Sequence, residues 1–217
     1  MSDALDWLYG ATALAPIATA IAAITTASIA YSALRNWKRQ DKAKRQAEFL
    51  DELIEAAHAY IAEINHPVAL LEFSKIGMEA HVPTWEQDDE EDKAVSGAIA
   101  YIEKRGENDG KQLFNVLGTI RPSEIKLRSL IVKGQVFKFK EYAKCQNAIN
   151  IIIWIFNRIE AYAGIIGSSP WNWENSEVMD RLKEQIAVDP NEFRKYVQDS
   201  NVAIIEFVRD NYKNIYG

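Results

Sequence analysis

Cysteine is almost missing from this 217-residue chain, which has only one. One cysteine cannot form an internal disulfide or supply the several thiolates of a cysteine-based zinc site, so both are excluded. Six prolines and ten glycines are too few for a collagen-like or low-complexity chain. With 48% hydrophobic and 26% charged residues, the composition is that of a globular protein, and we expect one compact domain with an appendage.

The common catalytic motifs are also absent. The chain has no glycine-rich phosphate loop, no G-x-S-x-G elbow and no H-E-x-x-H sequence. Two segments, Glu55–His58 and Glu63–His66, have the Glu-x-x-His spacing of di-iron bundles, but both fall on one predicted helix, whereas such centres take their motifs from two. We interpret Cys145 as a small buried hydrophobic residue. The sequence therefore predicts no catalysis, no cofactor and no bound metal.

Charge is distributed unevenly along the chain. The net charge is −6, yet the first 34 residues hold only Asp3 and Asp6. Residues 35–45 contain six basic residues against Asp41, a net charge of +5, which leaves −9 for residues 46–217. A domain this acidic repels the phosphate backbone of nucleic acids, so we expect no nucleic-acid partner.

A long uncharged segment runs from Trp7 to Leu34, 28 residues without Asp, Glu, Lys, Arg or His. As an α-helix it would be about 42 Å long, more than the roughly 30 Å of a bilayer's hydrocarbon core. Aromatic residues that favour the headgroup layer flank it: Trp7, Tyr9, Tyr31 and Trp37. The pattern predicts a transmembrane helix within residues 1–34, preceded by a short external N-terminus.

Three other interpretations compete with a membrane span. A cleaved signal peptide begins with a basic region, whereas the residues before Trp7 are acidic. An amphipathic surface helix needs a charged face, which is missing here. A buried helix of a soluble protein stays open as an alternative, because the segment is rich in Ala and Thr and contains neither Phe nor Val.

The basic residues predict the orientation of this span. They form a juxtamembrane collar over residues 35–45: Arg35, Lys38, Arg39, Lys42, Lys44 and Arg45. Lys and Arg are enriched on the cytoplasmic side of membrane helices. We therefore expect a protein of the cell inner membrane, with the lipid bilayer as partner, the N-terminus outside and residues 46–217 in the cytoplasm.

Small residues recur every four positions in the predicted span. Residues with this spacing share one helix face, and small side chains there let two membrane helices approach closely. The stripe consists of Ala11, Ala15, Thr19, Ala23 and Ala27. It predicts self-association, and hence a homo-oligomer, through the membrane helix.

The rest of the chain has the apolar periodicity of helices throughout. The first continues from the collar to Asn65, where Pro67 should end it, and a shorter one follows over residues 68–80. The later ones are predicted from a capping box at Thr84–Gln87 to Lys104, over 111–119, from Pro122 onward, over 141–166 and 176–188, and from Pro190 to Ile215, with a loop at Gly106–Gly110. Residues 124–139 also fit a pair of strands, although we favour helix.

The segment 141–166 is apolar enough to raise the question of a second span. Arg158 and Glu160 argue against one, because each would cost about 2.5–3.5 kcal/mol at the centre of a membrane helix. The predicted fold class is thus all-α: one N-terminal transmembrane helix that continues into an irregular cytosolic bundle. Trp171 and Trp173, in a predicted loop, are candidates for contact with a protein partner, since Trp is common in interface hot spots.

These features support two hypotheses about function. The first is a membrane-anchored interaction, scaffold or sensor-accessory protein that binds a protein partner and has no catalysis of its own. The alternative is a membrane effector, a defence or toxin component that oligomerises through its Ala/Thr-rich span and permeabilises the membrane.

Overall fold

The computed structural model describes residues 2–83, 89–168 and 170–216, with side chains described from residue 16 onward in these ranges. This part of the chain is all-helical and contains no strand. The α-helices are α1 (Ser2–Glu79), α2 (Glu90–Tyr101), α3 (Glu107–Gly134), α4 (Tyr142–Ile166), α5 (Ser176–Ile186) and α6 (Pro190–Tyr216). A π-helical turn, Ile102–Gly106, joins α2 to α3, and a 3-10 turn, Gln135–Phe137, follows α3.

The chain divides into two compact units after Glu48. The first unit consists of the N-terminal part of α1. The second unit begins at Phe49 and contains the remainder of α1 together with α2 to α6.

Four long helical segments form the second unit: residues 49–79, α3, α4 and α6. Polar contacts between them define their directions. Lys133 pairs with Glu52, which makes α3 antiparallel to residues 49–79 because α3 ends where that segment begins. The Tyr60 hydroxyl donates to the Ile152 carbonyl oxygen (3.3 Å), and further along the Tyr162 hydroxyl lies 3.7 Å from Met78 Sδ, so α4 runs parallel to it.

The helix α6 runs antiparallel to residues 49–79, since Arg194 near its start pairs with Glu72 and Tyr212 near its end bonds to Asp51. The second unit therefore has two distinct ends. One, which we call the Phe49 end, holds Phe49, the 135–141 connection and the C-terminus of α6. The other, the distal end, holds α2 and α5.

The most buried helix is α4. Its core side chains are 0–4% exposed: Cys145, Ala148, Ile149, Ile152, Ile153, Ile155, Phe156, Ile159, Tyr162, Ala163 and Ile166. It is long and apolar enough to cross a membrane, but 56% of its most apolar stretch is buried in the protein. Such burial stabilises a helix bundle, because each buried aliphatic side chain contributes about 1.5–3 kcal/mol to the free energy of unfolding.

The start of α6 forms as the sequence predicts. Pro190 occupies the first helical position, and Asp189 Oδ1 accepts a hydrogen bond from the Asn191 backbone N–H at 2.8 Å. Pro suits this position because its missing N–H would have no helical partner there. Asn175 caps α5 in the same way by accepting from Glu177 N at 2.9 Å.

Two predicted helix boundaries, at Pro67 and at Pro122, are wrong. The helix α1 runs through Pro67, and α3 runs through Pro122. An interior proline costs a helix about 3 kcal/mol. Around Pro67 the apolar face continues with Ile64 and Val68, both at most 1% exposed, so burial on both sides of the proline offsets that cost.

The predicted loop at Gly106–Gly110 is also wrong, because these residues are helical. A Cβ atom at Gly106 would lie 2.2 Å from the Ile166 carbonyl oxygen, and one at Gly110 would lie 2.5 Å from Gly167 Cα. The two glycines therefore allow the start of α3 to touch the end of α4 at backbone distance, and they do not mark a turn.

Residues 124–139 are helical rather than stranded. They continue α3 to Gly134 and then form the 3-10 turn, after which Lys138 (φ 51°) and Glu141 (φ 57°) adopt left-handed conformations. The predicted capping box at Thr84–Gln87 lies outside the described residues. The helix that follows begins at Glu90 with three acidic residues in its first turn, which suits the positive end of its dipole.

Candidate functional site

The first unit has an unusual surface for a protein in water. Every side chain described from Pro16 to Gln40 is exposed, including Ile17 (57%), Ile21 (60%), Ile24 (68%) and Ile29 (65%). A helix that is apolar all round needs an apolar surrounding on every side. This segment of α1 is long and apolar enough to cross a membrane, and none of its most apolar stretch is buried in the protein.

Two hydroxyl groups in this segment have hydrogen-bond partners within the helix. Thr25 Oγ1 donates to the Ile21 carbonyl oxygen at 2.8 Å, and Ser28 Oγ donates to that of Ile24 at 2.9 Å. A hydroxyl without a partner in an apolar medium costs several kcal/mol. These side chains therefore do not oppose transfer of the segment into lipid.

The collar begins where the apolar surface ends. The side chains of Tyr31 and Leu34 frame a shallow groove of about 330 Å³ with four basic residues: Arg35, Lys38, Arg39 and Lys42. Trp37 is 62% exposed on the same helix. Amphipathic rings and long basic side chains at the end of an apolar segment are typical of the water–lipid boundary.

The predicted association stripe is only partly described. Thr19, Ala23 and Ala27 are exposed and lie on one face, since they are four residues apart in a helix. For Ala11 and Ala15, as for Trp7 and Tyr9, the structure describes the helical backbone but not the side chains. The isoleucines at 17, 21 and 24 project about 100–160° round the helix from Ala23, given 100° of rotation per residue, so their bulk lies away from the centre of the small face.

The two loop tryptophans pack against the core of the second unit. Trp171 and Trp173 are both partly buried there, and Trp171 Nε1 donates to the Ile165 carbonyl oxygen at 2.9 Å. They anchor the connection between α4 and α5. Contact with a partner through their remaining surface stays a prediction.

The residues considered for chemistry are dispersed. Glu55, His58, Glu63 and His66 are all exposed, and no group of three or more His, Cys, Asp or Glu among the described residues could hold a metal ion. Cys145 is fully buried, and burial raises the pKa of its thiol to about 12. The thiol is therefore protonated near neutral pH and unsuited to nucleophilic attack.

One polar cluster could not be predicted from the sequence. Ser74 Oγ lies 2.8 Å from the Tyr101 hydroxyl oxygen, and that hydroxyl donates to Asp109 Oδ2. Burial, with the hydrogen bond to Asp109, raises the pKa of Tyr101 to about 12. The cluster joins α1, the end of α2 and the start of α3 beside a small cavity of about 250 Å³. No local motif signals it, because its members come from three separate helices.

Comparison of the chain with protein-family models, with curated proteins and with solved structures found no match. A function for the chain therefore has to be inferred from the physical properties of the two units.

Proposed function

We propose that the N-terminal segment of α1 spans a membrane and anchors the second unit to it. The observation that carries the proposal is the all-round exposure of a charge-free apolar helix from Pro16 to Leu34. In water such a surface would be unfavourable by about 25 cal/mol for each Å² of apolar area. As a helix these residues extend about 28 Å, close to the roughly 30 Å of the hydrocarbon core.

The collar supports an orientation with the second unit in the cytoplasm. Residues 35–45 carry a net charge of +5 directly after the apolar segment, and basic residues near a span remain on the cytoplasmic side. The proposed location is the bacterial-type inner membrane, with the N-terminus outside.

The second unit is proposed to bind other proteins, as a scaffold or sensor accessory without catalysis of its own. Large apolar side chains remain exposed on it, among them Phe73 (67%), Ile76 (55%) and Ile125 (58%). Exposed apolar side chains of this size are suited to protein interfaces. An anchored helical unit that offers such surfaces would hold a partner at the membrane.

The orientation can be tested with reporters fused to the C-terminus. Replacement of the six basic collar residues by Gln should scramble the topology, since these charges set it. A matched control replaces Lys104 and Lys111, exposed on the second unit, by Gln and should leave the topology unchanged. A collar variant whose reporters stay entirely cytoplasmic would show that the collar is not the determinant.

The alternative function is a membrane effector, and the two-faced character of the helix favours it. The small face with Thr19, Ala23 and Ala27 would let two or more copies pack closely in lipid, where helix association depends on van der Waals contact. An oligomer built in this way could enclose a lumen and permeabilise the membrane.

A pair of leucine substitutions separates the two functions. Ala23→Leu adds bulk to the small face, whereas Thr25→Leu adds it about 200° further round the helix at almost the same depth. Crosslinked oligomer should fall with Ala23→Leu and persist with Thr25→Leu. Membrane leak that falls together with the oligomer supports the effector, whereas no leak from any of the proteins supports the scaffold. Equal crosslinking in all three would reject the association face.

A further inference from the structure

The acidic second unit contains a second basic segment. Residues 125–144 carry six basic side chains against one acidic side chain, Glu141, for a net charge of +5. The basic residues are Lys126, Arg128, Lys133, Lys138, Lys140 and Lys144. This equals the charge of the collar, although residues 46–217 as a whole carry −9. This segment therefore contrasts in charge with the rest of the unit.

The later part of this segment lies at the Phe49 end. The Phe137 and Phe139 rings pack on the Phe49 ring, with centroids 5.1 and 5.4 Å apart. Phe49 follows Arg45 of the collar by only four residues, so the chain between them spans at most about 14 Å. The end of the unit that carries these residues is therefore the end at which the chain enters it from the collar.

The 135–141 connection presents unpaired charge and apolar surface together. Lys138 and Lys140 are exposed and form no ion pair with any other described residue, whereas Lys133 and Lys144 pair with Glu52 and Glu141. Val136 is 79% exposed between these charges, which is the most exposed large hydrophobic side chain in the described part of the chain.

Acidic side chains on α6 lie on one side of this patch. Glu206 and Asp210 line a cavity of about 360 Å³ together with Glu141 and three lysines: Lys140, Lys144 and Lys213. The three lysines there balance the three carboxylates. Lys138 and Val136 do not line that cavity, so their side of the connection keeps its positive charge.

We propose that the patch formed by Val136, Lys138 and Lys140 docks on the anionic surface of the membrane that the N-terminal helix crosses. This inference rests on the proposed anchoring. Lysines near an anionic leaflet favour binding by about five-fold each, and an apolar side chain among them can enter the headgroup layer. Docking would give the second unit a fixed face toward the lipid and leave its distal end free for a partner.

The test uses the full-length chain reconstituted into vesicles, with an environment-sensitive fluorophore at Val136→Cys. The native Cys145 is buried and does not compete for the label. The vesicles consist of phosphatidylcholine with or without phosphatidylglycerol, and a nitroxide on the lipid headgroup quenches nearby fluorophores. We expect strong quenching only with phosphatidylglycerol. A label at Ile76→Cys, also exposed on the surface (55%) but at the distal end, should stay unquenched.

Charge reversal tests the cause of docking. Lys138→Glu with Lys140→Glu should lower the ratio of docked to undocked protein by at least about 25-fold, from five-fold for each lysine. The control Lys104→Glu with Lys111→Glu changes the net charge equally at exposed distal positions and should leave quenching unchanged. The proposal is overturned if the Val136 label stays unquenched. It is also overturned if quenching is the same without phosphatidylglycerol, or the same after the charges of the two lysines are reversed.

Flotation of the same samples separates the two proposals. Protein that floats with vesicles but leaves the Val136 label unquenched retains the anchor and refutes the docking. Protein that does not float refutes the anchoring, and the docking inference fails with it.

Discussion

Substitution of Gly110 by Ala tests the close contact between α3 and α4 that replaces the loop expected from the sequence. The added Cβ would lie 2.5 Å from Gly167 Cα, 2.9 Å from Gly167 N and 3.0 Å from the Ala163 carbonyl oxygen. All three are backbone atoms of α4 or its C-cap, so no side-chain rotation can relieve the overlap and the two helices must separate.

The expected magnitude follows from two opposing effects. Ala is favoured over Gly inside a helix by about 1 kcal/mol. Overpacking typically costs about 1–3 kcal/mol, and contact with rigid backbone places this site near the upper end. The net loss should be about 2 kcal/mol, which corresponds to a Tm about 4–8 °C lower for a protein of this size.

Gly118 provides the matched control in the same helix. A Cβ there meets no atom within 4 Å, so Gly118→Ala should gain the helix propensity alone and raise Tm by about 2–4 °C. Thermal unfolding of both variants in detergent, followed by circular dichroism, measures the two effects side by side. If Gly110→Ala were as stable as Gly118→Ala, the proposed backbone contact would not exist.

Three further predictions concern the second unit. Burial raises the pKa of Tyr101 to about 12 and also raises that of Tyr60 and Tyr142, so the native state retains these protons when the unfolded chain loses them near pH 10. The contribution of these tyrosines to stability should therefore be constant below about pH 10 and fall as the pH rises toward 12, and a urea midpoint that does not move between pH 10 and 12 would contradict it. Cys145 should react with iodoacetamide only after denaturation, and labelling of the native protein at the rate of the unfolded chain would show that it is accessible. Asp189→Ala should destabilise the unit by about 1 kcal/mol through loss of the α6 cap, measurable as a lower urea midpoint, and an unchanged midpoint would mean that the cap is dispensable.

Local signals predicted those helices that are determined by their own residues. Asp189 and Pro190 fix the start of α6 through a side-chain cap and a preset φ angle, both of which act within a few residues. The apolar face of α4 follows from its periodicity, and its two charges correctly favoured a bundle helix. The charge-free composition of residues 7–34 is likewise visible without knowledge of the fold, and its interpretation as a membrane span stays a prediction.

Features that depend on another helix could not be predicted. Pro67 and Pro122 predicted helix boundaries because the local cost of a proline is visible in the sequence, whereas the burial that offsets this cost around Pro67 is not. Gly110 was predicted to lie in a loop, although it packs against Gly167, the C-cap of α4. The cluster around Tyr101 joins three helices, and only the fold brings its members together.

The central claim is that residues 7–34 anchor the chain in a membrane, and extraction of cell membranes at alkaline pH tests it most directly. The raised pKa values of the buried tyrosines mean that this treatment weakens the second unit, whereas residues 16–30 of the span contain no titratable side chain. Wild-type protein should therefore remain in the membrane pellet. Ile21→Lys with Ile24→Lys places two charges in the span at about 2.5–3.5 kcal/mol each and should release the protein.

The control Ile76→Lys with Ile125→Lys alters two equally exposed isoleucines of the second unit and should stay in the pellet. Wild-type protein recovered in the soluble fraction, or a doubly charged span that still resists extraction, would contradict the account.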